Sequence, residues 1–366
     1  MHEGDGPDGS ATRTSRRTGA VRGTPTMMDV ARATGVSQST VSRVLSGAPT
    51  TIPIAPETRE RVMRAARSLG YRPNPLARGL RGARTGLLGV IVREITDPFF
   101  ASAIEAVSIE AAQRGYNVVL GHAHGRADEA LALWGILEAR HCDAILLLGD
   151  MRDKLQLIED LHDTPAPVVA LWHGSRAAGL PTVTVDNRAG IDAMLEHVRG
   201  LGHRRIAFIG GRRLGDIRER EEAFRTHVTR HGLELADGYM VSVANEFEAG
   251  ADAIGALMAL RRPPTAVVAA TDVLAVGVLR GAYDRGLVVP RDLTVTGFDD
   301  IPFASMSVPS LTTIRMPVRE MVAQAMRVAI DEPSPDGAEG IPHSILEPEL
   351  VVRGSSGPPP SEGKEP

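Results

Sequence analysis

The chain has 366 residues, 43% of them hydrophobic, which is enough for two or three domains with sizeable cores. Its single cysteine, Cys142, excludes an internal disulfide framework, and no run of about 18 apolar residues supports a membrane span. The net charge of −4 combines a surplus of +8 in residues 1–84 (14 Arg against 6 Asp and Glu) with −12 in the remainder (27 basic against 39 acidic residues).

The first 25 residues are rich in Gly, Thr, Arg and Asp and contain no apolar segment typical of an export signal. We predict that residues 1–25 form a disordered arm, or that they precede a start at Met27 or Met28. The basic surplus that begins here indicates an anionic partner for the head of the chain alone, either nucleic acid or a membrane surface. The alternative is an arginine-rich helical surface that meets only water.

Two short helices are predicted next. Thr26 and Asp29 form a capping pattern at the start of the first helix, which Gly35 ends. Ser37 can cap the second helix, whose inward face is apolar at spacings of three and four residues and consists of Val41, Val44 and Leu45.

A third helix is predicted from Pro56, a favourable first-turn residue, to Gly70. Its buried stripe consists of Val62, Ala66 and Leu69, and Ala55 stands at a position where a side-chain cap would stabilise the helix. Two short helices joined by a tight glycine turn, with a third as a buttress, make a helix-turn-helix.

The outward face of the second helix carries short hydroxyls, a glutamine and an arginine. In a helix-turn-helix the second helix lies in the major groove of DNA with its first residues against base edges. Arg43 can donate two hydrogen bonds to guanine, Gln38 suits adenine, and short hydroxyls reach phosphates or bases. With the basic surplus, this predicts double-stranded DNA as a partner. The alternative is a small helical bundle whose polar face meets only water.

From Leu87 onward, short β-rich runs alternate with amphipathic segments, as expected for buried parallel strands and their helices. The first series is LLGVIV (87–92), YNVVL (116–120), DAILLLG (143–149) and VVALW (168–172). The second series is RIAFIGG (205–211), YMVSV (239–243), TAVVAA (265–270) and LTVTGF (293–298). Two successive βαβ arrays predict two doubly wound lobes with a cleft between them.

The common motifs of catalysis are missing from this body. No glycine-rich dinucleotide motif follows the first strand, and neither Lys154 nor Lys364 lies in a phosphate-binding loop. H-E-x-x-H, C-x-x-C and G-x-S-x-G are also absent. His122 and His124 could share a strand face as metal ligands, although two lone histidines are more typical of loops. We therefore predict no catalytic residue, no metal and no cofactor.

A binding function is the better account of the body, because open α/β sheets bind ligands beyond the carboxyl ends of their strands. Aromatic rings there cover apolar faces of a sugar or base, and Arg and Asp orient polar groups. For each ring, ordinary core packing is the alternative. The candidate effector-binding residues are Phe99, Phe100, His122, Trp172 and His173 in the first lobe and Asp216, Arg220, Phe247 and Asp272 in the second.

Several motifs together resemble the LacI/GalR family of bacterial transcriptional regulators: TMMDVA (26–31), GVSQSTVSRVL (35–45), ETRERV (57–62) and LGYRPNPLAR (69–78). The likeness continues to about Ser355. It implies an N-terminal all-α helix-turn-helix DNA-binding domain joined to an α/β periplasmic-binding-protein-like effector domain of two doubly wound lobes. The expected parts are a helix-turn-helix domain (26–72), a hinge helix or linker (73–85), an effector-binding and dimerisation domain (86–355) and a disordered tail (356–366).

The resemblance also implies individual roles. Gln38, Ser39 and Arg43 would read bases, and Thr26, Thr40 and Ser42 would hold phosphates. In the hinge, Ala77, Arg78 and Leu80 would contact DNA, with Leu80 as an apolar wedge in the minor groove. Arg220 and Asp272 match effector-contacting positions of the family, whereas Asp299 and Asp300 match a crossover signature and are expected to form turns. The chain would cross between the lobes near Asp186, Asp299 and Arg315.

These observations predict a homodimeric, ligand-responsive regulator, a repressor in the simplest case, that binds a palindromic operator in the cytoplasm at the nucleoid. A sugar-like metabolite would bind in the cleft, and the sequence leaves open whether it releases or promotes DNA binding. An exported solute-binding protein would share the body but would need a signal segment and would lack the helix-turn-helix. A DNA-anchored sugar- or nucleotide-converting enzyme would need the missing catalytic motifs.

Overall fold

The structure, a computed structural model, describes residues 25–46, 53–71, 84–151, 161, 166–172, 180–211, 215–233, 235–332 and 343–360. Contacts divide the chain into two units, Met1–Arg81 and Gly82–Pro366. Four residues with predicted binding roles lie outside the described residues, namely Ala77, Arg78, Leu80 and His173. The predicted arm, apart from Pro25, lies outside them as well.

The first unit contains the three predicted helices, α1 (Met27–Thr34), α2 (Gln38–Ser46) and α3 (Pro56–Leu69). Thr26 and Asp29 form a reciprocal capping box at the start of α1, and Gly35 ends it with a left-handed φ of 69°. A small core holds the helices together and consists of Val30, Val41, Val44, Val62 and Ala66. The prediction that Leu69 belongs to this core is wrong, because the last turn of α3 leaves it 38% exposed.

In the second unit the strands are β1 (Leu87–Val92), β2 (Asn117–His122), β3 (Ala144–Leu148), β4 (Val168–Leu171), β5 (Thr182–Val185), β6 (Ile206–Gly210), β7 (Met240–Ser242), β8 (Ala266–Ala269), β9 (Thr294–Thr296), β10 (Thr313–Arg315), β11 (His343–Leu346) and β12 (Glu349–Val351). The helices are α4 (Pro98–Gln113), α5 (Ala127–Ala139), α6 (Asn187–Gly200), α7 (Gly215–Arg230), α8 (Phe247–Met258), α9 (Asp272–Asp284), α10 (Pro302–Met306) and α11 (Val318–Met326), which continues as a π-helical turn (Arg327–Asp331).

Two parallel sheets form the two predicted lobes. Lobe one has the strand order β11-β5-β4-β3-β1-β2, and lobe two has the order β7-β6-β8-β9. The strands β3 and β6 are buried along their whole length, as expected for strands of parallel sheets that are covered on both faces. The predicted α/β fold with two doubly wound lobes is therefore confirmed.

The chain passes three times between the lobes. It leaves lobe one after β5 at Asp186, which caps α6, and returns between Arg315 of β10 and α11, which packs on α4. The third passage joins β11 in lobe one to β12, which pairs antiparallel with β10. The predicted crossing near Asp299 is wrong, because α10 after it still packs against α9 of lobe two. The late strand β11 supplies the crossing instead.

The end of the described chain is bound to lobe two. Ser355 accepts a hydrogen bond from the backbone of Val295 at 3.0 Å. The carbonyl oxygen of Gly357 accepts one from Nε2 of the buried His203 at 2.8 Å. The prediction of a disordered tail from residue 356 is therefore wrong for its first residues, which complete the polar contacts at this edge of the lobe.

Candidate functional site

A cleft lies between the lobes, where the carboxyl ends of their parallel strands face each other. Its larger part, the outer cleft, has a volume of about 820 Å³. This is within the range of about 300–1,000 Å³ that is typical of small-molecule sites. A smaller cavity, the inner cleft, shares Arg93 and Asp97 with it. The outer cleft is lined by Arg93, Glu94, Thr96, Asp97, Pro98, His124 and Gly125 of lobe one and by Gly211, Ile217, residues 242–248 and Val273 of lobe two.

Arg93 follows β1 directly and is buried in the wall shared by both parts of the cleft. Its guanidinium lies over the ring of Phe100, 4.7 Å from the ring centre. Nη2 lies 3.8 Å from Oδ2 of Asp97, and Nη1 lies 3.8 Å from Oδ1 of Asp216 in lobe two. Neither Arg93 Nη1 nor Asp216 Oδ1 has a hydrogen-bond partner among the described residues, although both atoms are buried. Such atoms are positioned to bond polar groups of a ligand.

Asp97 caps the N-terminus of α4, and Pro98 occupies the first helical position. Its carboxylate accepts hydrogen bonds from the backbone of Phe99 at 3.0 Å and from Nδ2 of Asn245 in lobe two at 3.1 Å. Burial raises the pKa of Asp97 above its usual value, and Arg93 partly offsets this effect. Through the bond to Asn245, Asp97 connects the two lobes where the inner and outer cleft meet.

Arg220 lies on α7 at the inner cleft and is 2% exposed. Its Nε donates to Oδ1 of Asn187 at 2.8 Å, and Nη1 donates to the carbonyl oxygen of Ala270 at 2.7 Å. Nη1 also donates to Oδ1 of Asp299 at 3.1 Å, and the guanidinium lies 3.7 Å from the ring centre of Phe298. Contacts on several sides fix the direction of this side chain, which is what a specific polar site requires.

Asp299 lines the inner cleft beside Arg220, although the sequence predicts only a turn-forming role for it. Its φ of 121° is unusual for a residue with a side chain and marks local backbone strain. Burial raises the pKa of Asp299 well above its ordinary value and outweighs the opposite effect of Arg220. The carboxyl group is therefore a further polar group of the site.

Aromatic side chains form the wall of the inner cleft on the side of lobe one. Phe99 and Trp172 both line it, with ring centroids 5.1 Å apart in an edge-to-face arrangement. The indole Nε1 of Trp172 donates to Sδ of Met321 at 3.1 Å, which fixes the ring. Phe100 does not line the cleft; it is 1% exposed and packs behind Phe99 and Trp172. Its predicted contact with the effector is replaced by a core role.

The structure does not bring Asp272 to the cleft. The residue is fully buried at the start of α9, where Oδ1 accepts from the hydroxyl of Thr313 at 2.5 Å and Oδ2 accepts from the backbone of Ile301 at 2.9 Å. Burial raises the pKa of Asp272 to about 7. Both oxygens are already bonded inside lobe two, so Asp272 ties α9 to β10 and to the segment before α10.

Of the remaining residues predicted to bind the effector, some line the cleft and others do not. Asp216 lines the inner cleft and Phe247 lines the outer cleft. His122 lines neither part, because its ring is turned toward Glu94, with Nε2 at 3.2 Å from the carboxylate. The neighbouring His124 lines the outer cleft instead, with its ring centroid 3.8 Å from that of His122.

The residues predicted to bind DNA lie in the first unit. Gln38, Ser39 and Arg43 are exposed on α2, while Thr40 and Ser42 are half-buried. The hydroxyl of Ser37 accepts from the backbone of Thr40 at 3.1 Å and lies 2.8 Å from the hydroxyls of Ser39 and Thr40. This cap fixes the first turn of α2 and leaves a polar, exposed face. Thr26 is exposed at the start of α1 and donates from its hydroxyl to Asp29 at 2.7 Å.

Several cleft residues were missed by the sequence reasoning. Each follows a strand by one to a few positions, and this placement is the signal that could have found them. They are Arg93 and Asp97 after β1, Asn187 after β5, Asn245 after β7 and Asp299 after β9. In the sequence, aromatic residues stand out at the same strand ends, whereas nothing local distinguishes these polar residues from ordinary capping and turn residues.

Residues 26–74 match the model of bacterial regulatory proteins of the lacI family, and residues 195–356 match a periplasmic binding protein-like domain. The chain is similar to catabolite control protein A of Priestia megaterium, with 34% identity over 307 residues that cover 83% of this chain and 91% of that protein. It is also similar to the transcriptional regulator MalR of Streptomyces coelicolor, with 34% identity over 356 residues that cover 94% of this chain and all of that protein.

Two solved structures share the fold. The transcriptional regulator CelR in complex with cellobiose has a TM-score of 0.64 and 30% identity, covering 90% of this chain and 99% of that one. The lac repressor dimer bound to operator and the anti-inducer ONPF has a TM-score of 0.78 at 24% identity, covering 91% and 99%. Among the described residues, no helix has the length and apolar character needed to cross a membrane. The match to the lacI family model and the two identities of 34% show that the chain belongs to the LacI family of bacterial regulatory proteins, and that it is a DNA-binding transcriptional regulator rather than an enzyme.

Proposed function

We propose that this regulator is a repressor that binds a palindromic operator as a homodimer and changes its affinity for DNA when a sugar-like metabolite enters the cleft. The observation that carries the proposal is the pair of buried, unbonded polar atoms, Arg93 Nη1 and Asp216 Oδ1, on opposite walls of the cleft. A ligand that bonds both atoms favours one arrangement of the lobes. It then shifts DNA binding by as much as its affinities for the two arrangements differ.

The chemistry of the cleft favours a polyhydroxylated ligand. Arg220 and Asp299 offer a donor and an acceptor side by side, which suits neighbouring hydroxyl groups. Phe99 and Trp172 provide an apolar wall at the inner cleft. The inner cleft has a volume of only about 10 Å³, so one face of a sugar ring packs on this wall only after the lobes move apart. The cellobiose complex of the similar regulator CelR supports this class of ligand.

Base reading is assigned to Gln38, Ser39 and Arg43, and phosphate contacts to Thr26, Thr40 and Ser42. The exposed start of α2 supports this assignment, because that part of a helix-turn-helix meets base edges. By the family resemblance alone, Ala77 and Leu80 are proposed to contact the minor groove from the hinge, and Arg78 is proposed to contact DNA beside them. Two such heads related by a twofold axis require an operator with matching half-sites.

The proposed dimer has support in an apolar surface at α10. Phe303, Met306 and Val308 are 48%, 74% and 95% exposed. Large apolar side chains clustered in one segment are typical of a protein–protein contact, and a second copy buries them symmetrically. We expect Val308→Asp to dissociate the dimer in sedimentation velocity, whereas Val288→Asp, which changes a half-exposed valine on another segment, leaves it intact. A monomeric wild-type protein at micromolar concentration would contradict this part of the proposal.

The ligand is tested with the full-length protein in a thermal-shift screen of cellobiose, maltose, common monosaccharides and nucleosides, because a bound ligand raises Tm with concentration. The sugar that raises Tm most is then added to the protein on a genomic fragment selected by binding. We expect at least a tenfold change in fragment affinity, and none in the Asp216→Asn variant. Sugars that neither stabilise the protein nor change fragment affinity would refute a sugar effector.

A further inference from the structure

Two helices of lobe two bring histidine and carboxylate side chains together outside the cleft. Glu196 comes from α6, His227 comes from the last turn of α7, and His231 follows one helical turn later. One ligand atom from each residue lies within 4.8 Å of the others. Asp192, one turn before Glu196 on α6, contacts the same cluster. Neither the DNA-binding face nor the cleft uses these residues.

The distances from the carboxylate to the two histidines are close to those of neighbouring ligands around a small ion, and all three ligand atoms lie within 4.8 Å of one another. Oε1 of Glu196 lies 3.7 Å from Nε2 of His227 and 3.4 Å from Nε2 of His231. Bonds of about 2.0–2.1 Å in a tetrahedral zinc site put ligand atoms about 3.3–3.5 Å apart. Closing the site therefore requires only small movements of the side chains. The spacing of four residues between the histidines puts both imidazoles on one face of α7.

The buried histidine points an unbonded nitrogen into the cluster. His227 is 1% exposed, and its Nε2 has no hydrogen-bond partner among the described residues. Its other nitrogen, Nδ1, lies 2.8 Å from Oδ1 of Asp192. A proton on Nδ1, donated to this carboxylate, leaves the lone pair on Nε2 facing the cluster. A buried lone pair of this kind is unfavourable unless a donor or a metal ion binds it.

The third ligand is oriented by a neighbouring guanidinium. Arg199 bonds Oε2 of Glu196, so Oε1 remains toward the two histidines. The side chains of His231 and Glu196 are 26% and 48% exposed, so an ion could enter from solvent and keep a water molecule as its fourth ligand.

We propose that Glu196, His227 and His231 bind a divalent transition-metal ion of the zinc class through Oε1 and the two Nε2 atoms. Asp192 acts as a positioning residue that fixes the ring of His227. Two imidazoles with one carboxylate select zinc, nickel or copper over magnesium and calcium, which prefer ligand sets made only of oxygen atoms.

Such an ion connects the two helices that also form the inner cleft. Asn187 in the first turn of α6 accepts a hydrogen bond from Arg220 in the first half of α7. The ion joins the same two helices through Glu196 and His227, nearer to their C-terminal ends. It is therefore expected to stabilise lobe two without contacting the effector.

The test is a zinc titration of the metal-free, full-length protein at neutral pH by isothermal calorimetry, with Tm measured in parallel. His231→Gln and Glu196→Gln alter the half-exposed ligands, and His141→Asn removes an exposed imidazole of lobe one as the matched control. We expect one zinc ion per chain and a raised Tm in the wild type and the control, with at least a tenfold weaker Kd in both ligand variants. Zinc isotherms that are the same for all four proteins, or a wild type that binds no zinc, would overturn the proposal.

A second variant tests the positioning role of Asp192. Asp192→Asn retains the three ligands but loses the charged partner of His227, so zinc affinity should fall about 10- to 100-fold. The visible spectrum of the cobalt-substituted variant should keep the tetrahedral bands of the wild type, because the ligands are the same. An unchanged affinity would remove Asp192 from the site, and a cobalt spectrum without tetrahedral bands in the wild type would refute the three-ligand assignment.

Discussion

The guanidinium of Arg93 in lobe one lies 3.8 Å from the carboxylate of Asp216 in lobe two, and both side chains are largely buried. The distance is too long for a hydrogen bond, so the two groups form an ion pair without one, and a polar ligand atom beside them can bond both. This relationship links the state of the cleft to the relative position of the lobes.

We first predict that Asp216→Asn weakens binding of the sugar with the largest thermal shift by at least tenfold. The reason is that hydrogen bonds to a charged group contribute about 1.5–3 kcal/mol. Isothermal calorimetry measures the change. Glu222→Gln, which neutralises an exposed acid on the same helix, is the control and should bind as the wild type does. Equal affinities in the two variants would exclude Asp216 from ligand contact.

The second prediction concerns DNA. Arg43→Ala should lose about 1–3 kcal/mol of discrimination at one base pair of the half-site, because it removes a bidentate contact to guanine. Salt-sensitive binding to random duplex should remain. Arg67→Ala removes the same charge from an exposed position on α3 and should keep the base preference. Fluorescence anisotropy with single-base operator variants measures the base preference of each protein. An unaltered preference in Arg43→Ala would argue against α2 as the helix that reads bases.

The third prediction concerns pH. The pKa of Asp272 is about 7 in the folded protein and about 3.9 in an unfolded chain. Between these values the folded protein holds a proton that the unfolded chain has lost, so the free energy of unfolding falls as pH rises from about 4 to about 7. Asp97 and Asp299, whose pKa values burial also raises, act in the same direction.

Asp272→Asn should therefore reduce this pH dependence without abolishing it. The amide can accept from the backbone of Ile301 and donate to Thr313, so the local bonds have substitutes. Urea unfolding at about pH 5 and about pH 7.5 gives the difference in free energy for each protein. Asp252→Asn, an exposed position on α8, should behave as the wild type. If the free energy of unfolding of Asp272→Asn differs between the two pH values as much as that of the wild type, Asp272 does not hold the extra proton.

The fourth prediction uses the uncapped start of α3. Ala55 has the extended backbone of a capping residue (φ −54°, ψ 138°) but no side chain that bonds the free amides. Ala55→Ser should stabilise α3 by about 1 kcal/mol. Hydrogen exchange of the α3 amides should slow correspondingly. Ala33→Ser places the same hydroxyl inside α1, where it caps nothing, and should give no gain. Faster exchange in Ala55→Ser would indicate that the residue cannot adopt the cap.

The sequence predicts the head of the protein almost residue by residue because its signals are local. The Thr26–Asp29 box, the Gly35 stop and the Ser37 cap each involve residues within a few positions of one another. The strands of the lobes are predictable for a similar reason, since each is a short apolar run. By contrast, β11 joins the sheet of lobe one from far along the chain, and no local pattern indicates such a pairing.

The cleft is predictable only in part, because the direction of a side chain depends on the packing around it. Phe99 and Phe100 are neighbours on α4, yet the first lines the cleft and the second packs in the core. Asp272 and Asp299 both follow strands of lobe two, but Thr313 and Ile301 bond the first and leave the second facing the cavity. A residue's position just after a strand therefore predicts that it lies near the cleft. Whether its side chain lines the cleft depends on the three-dimensional packing around it.

The three passages of the chain between the lobes limit how the cleft can open. A single connection would let the lobes swing apart in any direction. Three connections that lie side by side permit the lobes to bend toward or away from each other, but they resist sliding and separation of the lobes. We therefore expect the cleft to open by rotation about these connections, in which atoms far from them travel furthest. This geometry would convert an ångström-scale change at Arg93 and Asp216 into a larger displacement at the outer ends of the lobes.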